Sequence, residues 1–268
     1  MGRKDRERLA GELERRTADF DGYYSAIWGG RWASIRSSLL EERRPVAYSD
    51  NLVQPYHMDE ASICTARLLP LADGDRVLDM CAAPGGKTLV LASRLDGRGQ
   101  IVANDRSKDR RARLDKVLRE HLDDRLHSSV RTTCRDASRW GLYEKDAYDA
   151  VLLDAPCSSE RHVIASDEHM AMWSPGRPKR LAIEQYALLS SAFMTTRPGG
   201  FILYSTCSLN PREDEMVVAR LFERRKGLVE EVPVEVAMAE RRTYGAMIVP
   251  DTSSGLGPMY FCLLRKAE

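Results

Sequence analysis

Short apolar runs recur through the middle of the chain, and segments of helical period separate them. The runs at 76–79, 100–103, 129–133, 150–153 and 201–204 read as buried strands, several of them closing on an acid or a polar turn. Between them, 86–95, 107–120 and 179–195 read as helices, and 61–69 is a further helical segment ahead of the turn Asp73-Gly74-Asp75. Asn210-Pro211 looks like a cap followed by proline at the first helical position, which predicts a helix from there to about 226. Apolar segments at 246–249 and 259–264, joined through Gly255-Leu256-Gly257-Pro258, predict a closing strand pair. Strand and helix in alternation imply an α/β fold, with a mostly parallel sheet covered on both faces.

The first 45 residues follow a different pattern. Residues 1–20 mix Arg, Lys and Glu with leucines at 9 and 13, the signature of a solvated helix with i,i+4 charge pairs. Phe20, Tyr23, Tyr24, Trp28 and Trp32 then cluster around Arg31 and Arg36. Such a mixture suits RNA contact, but packing of a small helical cap is the preferred reading. The charged break Glu41 to Pro45 closes it, so the chain divides into a helical segment at 1–45 and a main domain at 46–268.

Composition narrows the partners. A chain of 268 residues, 43% hydrophobic and 30% charged, buries an ordinary globular core. Its net charge of +1 means that any nucleic-acid site is a local basic surface. The six cysteines include no C-x-x-C pair, and no apolar stretch suits a signal peptide or membrane span. The expectation is a cytoplasmic protein with reduced thiols and no membrane or metal partner.

The chemistry gathers where strands end. Val77-Leu78-Asp79-Met80-Cys81-Ala82-Ala83-Pro84-Gly85-Gly86-Lys87-Thr88 is a strand, a small-residue loop and a helix start, a loop that lets a ligand approach backbone N–H groups. It misses the dinucleotide fingerprint. It satisfies a phosphate-cradling loop except at its first position, where Cys81 stands, so a P-loop NTPase using Lys87 and Thr88 is a rival reading. Asp105, 26 residues beyond Asp79, sits where an acid hydrogen-bonds a ribose, for which an NTPase has no comparable use. Cys157 and Cys207 lie at matched offsets, each three residues beyond a strand. On neighbouring strands about 4.8 Å apart, both sulfurs could reach one substrate base. Helix N–H groups following Cys207 would favour its thiolate, with Glu213 and Asp214 partly opposing them.

These residues resemble the RsmB/Sun-type RNA cytosine-5 methyltransferases. The likeness runs from about residue 45 to 268 and is carried by Cys81-Ala-Ala-Pro-Gly-Gly-Lys87-Thr88, Asn104-Asp105 with Ser107 and Arg110, Asp136, Asp154-Ala-Pro-Cys157 and Tyr204-Ser-Thr-Cys207-Ser208. Phe20-Asp21 with Trp32-Ala-Ser-Ile-Arg36, and Gly257-Pro-Met-Tyr-Phe-Cys262, look most like the small single-domain branch that contains the mitochondrial ribosomal-RNA and transfer-RNA enzymes. The resemblance implies a Rossmann-like class I fold that uses S-adenosylmethionine, with a short helical N-terminal cap. It implies Cys207 as the nucleophile toward cytosine carbon 6, Asp154 on ring nitrogen 3, and Cys157 in release. For the methyl donor it implies Cys81, Gly85, Gly86, Lys87, Asp105, Arg110, Asp136 and Asp154. Where the family usually has glycine, this chain has Ser159, so the loop is expected to avoid Gly-only backbone angles.

The substrate expected is structured RNA, ribosomal ahead of transfer, bound by a monomer with an accessory protein supplying targeting if the cap and helix 107–120 do not. His162 and His169 read as RNA-facing or plain surface rather than as metal ligands. A catalytically idle RNA-binding factor is the remaining alternative.

Overall fold

The computed structural model describes residues 3–42 and 44–268, with side chains from residue 8 onward. Helices α1 (Arg3–Trp28) and α2 (Trp32–Leu40) lead into a hairpin of β1 (Val46–Tyr48) and β2 (Tyr56–Met58), then α3 (Glu60–Arg67). Alternation follows through β3 (Arg76–Asp79), α4 (Gly86–Leu95), β4 (Gln100–Asn104), α5 (Lys108–His121), α6 (Asp124–Ser128), β5 (Val130–Thr133) and β6 (Tyr148–Asp154). Two short helices, α7 (Glu160–Ile164) and α8 (Asp167–Met172), precede the long α9 (Gly176–Thr195) and β7 (Thr196–Thr206). The chain closes with α10 (Glu215–Arg224), β8 (Val229–Glu231), β9 (Ala239–Arg241), β10 (Ala246–Ile248) and β11 (Met259–Lys266).

One sheet runs β5-β4-β3-β6-β7-β11-β10-β9, with β8 paired to β11. From β5 to β7 every pair is parallel, as expected for the Rossmann-like half. Beyond β7 the pairs turn antiparallel, so β10 and β11 form the expected closing pair. The chain moves outward from β3 to β5 and then returns to place β6 on the other side of β3. A crevice therefore opens at the carboxyl ends of β3 and β6, where open α/β sheets bind ligands.

Period-two alternation along the strands builds two hydrophobic layers. Leu78, Val151, Leu153, Ile202 and Tyr204 face a layer that includes residues of α1, α2, α9 and α10. Val77, Ala150, Leu152 and Leu203 face the opposite layer, where residues of α4 and α5 cover them. The N-terminal aromatics pack into the first layer. Phe20 lies 4.7 Å from Tyr24 and 5.0 Å from Trp173, ring centre to ring centre, and Tyr24 stacks on Trp32 at 5.0 Å. Phe20, Tyr24 and Trp32 are buried, so packing accounts for them. Arg8 and Glu12 form an i,i+4 pair; side chains of residues 1–7, and Arg43 within the expected boundary at 41–45, lie outside the described residues.

The expected helix start at Asn210-Pro211 is corrected. The Asn210 side chain accepts from the Arg212 N–H at 3.1 Å, and its carbonyl accepts from the Glu213 N–H at 2.8 Å, forming a turn. Glu213 and Asp214 are buried, and Asp214 is non-helical at φ −108°, ψ −110°, so α10 begins only at Glu215. No helix among the described residues is long and apolar enough to cross a membrane.

Candidate active site

The loop between β3 and α4 turns at Gly85, whose φ of 124° is disfavoured for a residue with a Cβ. A Cβ on Gly86 would sit 3.0 Å from both Met58 Cε and Tyr56 Cε1, so glycine there lets the β1–β2 hairpin close over the loop. Lys87 points into the crevice and donates to Asp154 Oδ2 at 2.8 Å and to Ser62 Oγ at 3.2 Å. Burial opposes the lysine's charge, but Asp154 outweighs it and raises the Lys87 pKa overall. Thr88 is fully buried and donates to Asp79 Oδ2 at 2.7 Å. Both side chains that an NTPase would turn toward phosphate and magnesium are thus committed to carboxylates of this chain.

Asp79 Oδ1 is buried without a hydrogen-bond partner, and burial raises the pKa of this carboxyl to about 7. The Cys81 thiol beside it is also pushed up by burial, so it behaves as a neutral wall.

Asp105, at the end of β4, is buried, accepts from the Ser107 N–H at 2.9 Å and pairs with Arg110 at 3.4 Å. Arg110 also donates to the Ala83 carbonyl at 2.8 Å, tying α5 to the glycine loop. Asp136 accepts from the Ser138 N–H and hydroxyl and caps the short turn at 137–142. A cavity of about 290 Å³ is lined by Cys81, Asn104, Asp105, Arg110, Asp136 and Pro156. A second, about 140 Å³, shares Cys81 and continues over Asp79, Gly86, Lys87 and Asp154. A wider cleft of about 500 Å³ opens beyond Asp136 between Arg135, Arg139, Trp140 and Tyr143, away from both thiols.

The two thiols meet because β6 and β7 are parallel neighbours, with Asp154 in register with Ser205. Cys157 Sγ and Cys207 Sγ lie 3.1 Å apart. Asp154 accepts from Ser205 Oγ at 2.8 Å, so its carboxylate is held between β7 on one side and Lys87 at the start of α4 on the other. Cys207 opens on a third cavity of about 260 Å³, shared with Arg44, Ser62, Ser159 and Pro258; Ser62 lines this one and the 140 Å³ cavity alike.

The hydrogen bond with Cys157 lowers the Cys207 pKa against the cost of burial, and Ser159 assists. Cys157, hydrogen-bonded to Cys207 and buried, is displaced well upward. The pair thus favours ionisation at Cys207 over Cys157. The helix N–H groups expected to do this are spent in the Asn210 turn. Ser159 also departs from expectation: it adopts the left-handed conformation, φ 54°, despite its Cβ.

Most sequence-predicted residues line this chain of cavities, Cys81, Asp105, Arg110 and Asp136 on the first, Gly86, Lys87 and Asp154 on the second, and Cys207 on the third; Cys157 lines none of them but hydrogen-bonds Cys207, and Gly85 forms the turn. Several contributors were missed. Tyr56 and Met58 come from short segments without a periodic signal, and Ser62 lies in the helical segment expected at 61–69 but belongs to no motif there. Glu160 was not singled out in sequence, and Glu213 was expected in a first helical turn opposing the Cys207 thiolate; both are fully buried behind the cysteine loops. Glu213 accepts from the Ser158 N–H at 2.8 Å and from Ser158 Oγ, and Glu160 accepts from the Leu209 N–H at 3.0 Å. The His162 and His169 rings lie 4.1 Å apart, tilted at 46°, and no group of three or more potential metal ligands occurs among the described residues.

Comparison with known proteins returns the same pattern. The family model described as 16S rRNA methyltransferase RsmB/F matches residues 66–265. The 5-cytosine rRNA methyltransferase NSUN4 of Mus musculus is 37% identical over 232 residues, covering 80% of this chain and 61% of the relative. Ribosomal RNA small subunit methyltransferase F of Erwinia tasmaniensis is 38% identical over 204 residues, 73% of this chain and 41% of the relative. This chain therefore spans about three fifths and two fifths of the lengths of these relatives. The crystal structure of NSun6 from Pyrococcus horikoshii with SFG superposes with a TM-score of 0.68 at 26% identity, covering 82% of this chain and 54% of that one. The fold is thus the Rossmann-like class I methyltransferase fold, and by the reach of the family match this chain belongs to the RsmB/F family of 16S rRNA methyltransferases.

Proposed function

We propose that this protein transfers a methyl group from S-adenosylmethionine to carbon 5 of a cytosine in RNA, with ribosomal RNA preferred over transfer RNA. The observation that carries the reading is the thiol pair: two sulfurs 3.1 Å apart, displaced in opposite directions, beside the Lys87–Asp154 pair where a donor cavity and a base cavity meet. The names of the relatives support ribosomal RNA as the substrate.

The residues present fit the donor. Asp105, positioned by Arg110, would take ribose hydroxyls, with Asp136 on the adenine side. Gly85 and Gly86 make room beside Cys81, and the unpartnered Asp79 oxygen offers an acceptor to an amino group. When bound, S-adenosylmethionine supplies an electrophilic methyl on a positively charged sulfur.

Cys207 adds as thiolate to carbon 6 of the flipped cytosine, which makes carbon 5 enamine-like and nucleophilic. As the adduct forms, nitrogen 3 takes a proton from solvent, and the Asp154 carboxylate, kept in place by Lys87, accepts that N–H. Once carbon 5 carries the methyl, water takes the carbon 5 proton, nitrogen 3 gives its proton back to solvent, the carbon 5–carbon 6 double bond re-forms and the carbon–sulfur bond breaks, so that Cys207 departs as thiolate. Cys157, adjacent and protonated, assists this release. Residues 1–45 serve as a helical cap on the 46–268 domain. The enzyme works as a monomer in the reducing cytoplasm, with RNA affinity supplied by the cap and the basic α5 or else by an accessory protein.

The test is direct. Cys207→Ala abolishes methylation of ribosomal RNA, whereas Cys157→Ala accumulates a covalent RNA–protein adduct. An active Cys207→Ala enzyme would sink the assignment. Calorimetry that finds tight ATP–magnesium binding and no response to S-adenosylmethionine would return the NTPase reading.

A further inference from the structure

Ser159 stands at the N-cap position of α7, and its carbonyl accepts from the N–H groups of His162 and Val163. A serine at such a position ordinarily turns its hydroxyl onto the second or third N–H of the helix. Here the side chain makes no cap hydrogen bond. The backbone instead adopts φ 54°, ψ 65°, a conformation disfavoured for residues with a Cβ. That conformation directs Oγ to 3.5 Å from Cys207 Sγ, on the wall of the cavity into which the nucleophile opens. The local capping bond is forgone, and the hydroxyl turns to the sulfur instead.

We propose that Ser159 is a positioning residue for the nucleophile, holding Cys207 Sγ toward the base cavity and donating its O–H to the sulfur once that sulfur is ionised. In the thiol form the direction reverses, and Cys207 S–H donates to Ser159 Oγ. A half-buried thiolate needs donors. Cys157 is one of them, but the release half of the reaction engages Cys157 elsewhere. Ser159 is a donor that turnover does not consume. The charged groups that reach Cys207 are mixed: Asp154 and Glu160 oppose its ionisation, while the Lys87 ammonium attracts the anion. The hydroxyl contributes in the same direction as Cys157, lowering the thiol's pKa.

The proposal takes the role of Cys207 from the function proposed above, but its test needs neither RNA nor methyl donor. In the full chain, the rate of iodoacetamide alkylation at Cys207 is followed against pH by peptide mass spectrometry, for wild type, Ser159→Ala and Ser159→Gly. Both variants are expected to move the midpoint of the profile upward, with alkylation at pH 7 slowed by about three- to tenfold. Alanine keeps the backbone strain and glycine relieves it, so an equal shift in both assigns the effect to the hydroxyl. Unchanged profiles in both variants, or a shift with alanine alone, would overturn it. A wild-type chain that alkylates normally yet methylates no RNA is the separate signature of failure of the proposed function.

Discussion

Asp79 holds one carboxylate oxygen on Thr88 and buries the other without a partner. Burial raises its pKa to about 7 in the folded chain, against about 4 when unfolded. The folded state therefore binds the proton more tightly across that window. The stability this contributes is fully present below pH 4 and is lost as pH rises through 7, about 4 kcal/mol if the whole difference is realised. Asp79→Asn removes the titration, so the variant gains stability relative to wild type between pH 5 and 8, as urea unfolding at the two pH values would measure. A difference that stays constant with pH would assign the loss to another group. The same scale shows why some site residues were legible and others were not. Cys157 and Cys207 could be paired because both follow the ends of parallel neighbouring strands, but the expected equal offsets are corrected: β7 runs on to Thr206, so Cys207 lies one residue beyond its strand and Cys157 three beyond β6. Asp79 could be placed at a strand end, but its missing partner is a property of the packed surroundings. The conformation of Ser159 is imposed by the loop's two fixed ends, not by its own type.

Among the elements, those with a strong period were legible almost to the residue. β3 (Arg76–Asp79) and α4 (Gly86–Leu95) fall on the expected ranges, because an apolar run and a glycine turn bound them. The β1–β2 hairpin was not, since three-residue strands are too short to display alternation. The misjudged start of α10 has a physical cause: Glu213 is pulled inward to join the loops that carry the thiols. Its carboxylate accepts from the Ser158 N–H, from Gln185 at 3.0 Å and from Ser208 at 3.3 Å. Its Oε2 faces two N–H donors and Oε1 faces hydroxyls, so Glu213→Leu strips the buried Ser158 N–H and Gln185 amide of their shared acceptor. A cost of about 2 kcal/mol is expected. Because the loops of both cysteines lose their shared anchor, kcat should fall while affinity for the methyl donor holds. Denaturant unfolding and calorimetry check the two halves; donor affinity falling in step with stability, at unchanged kcat, would contradict it.

At the scale of the whole molecule, the N-terminal helices are tied to the antiparallel side of the sheet by charge as well as by aromatic packing. Arg31, just before α2, pairs with Asp251 at 2.7 Å and with Glu240, and the arginine's guanidinium also lies over the Trp28 ring. Those acids belong to segments more than two hundred positions later, a connection invisible to any local pattern. Two further contacts cross the same boundary: Tyr24 donates to buried Glu160, and Trp28 Nε1 donates to the Leu209 carbonyl at 3.1 Å. The cap thereby reaches the backs of both cysteine loops. Arg31→Ala would leave Glu240 and Asp251 facing one another without their shared cation. Arg31 and Glu240 are each about a third exposed, so solvent screens the loss, and about 1–2 kcal/mol is expected rather than the cost of a fully buried pair. Tyr24→Phe removes a donor from a fully buried acid and should cost about 1–3 kcal/mol. The two respond differently to ionic strength. High salt should narrow the gap in melting temperature between Arg31→Ala and wild type, because its origin is Coulombic and partly exposed. The gap for Tyr24→Phe should not narrow, because no counterion reaches Glu160. Thermal melts at low and high sodium chloride separate the cases, and equal salt sensitivity in both variants would mean that the cap is held by aromatic packing, with Arg31 an ornament of the surface.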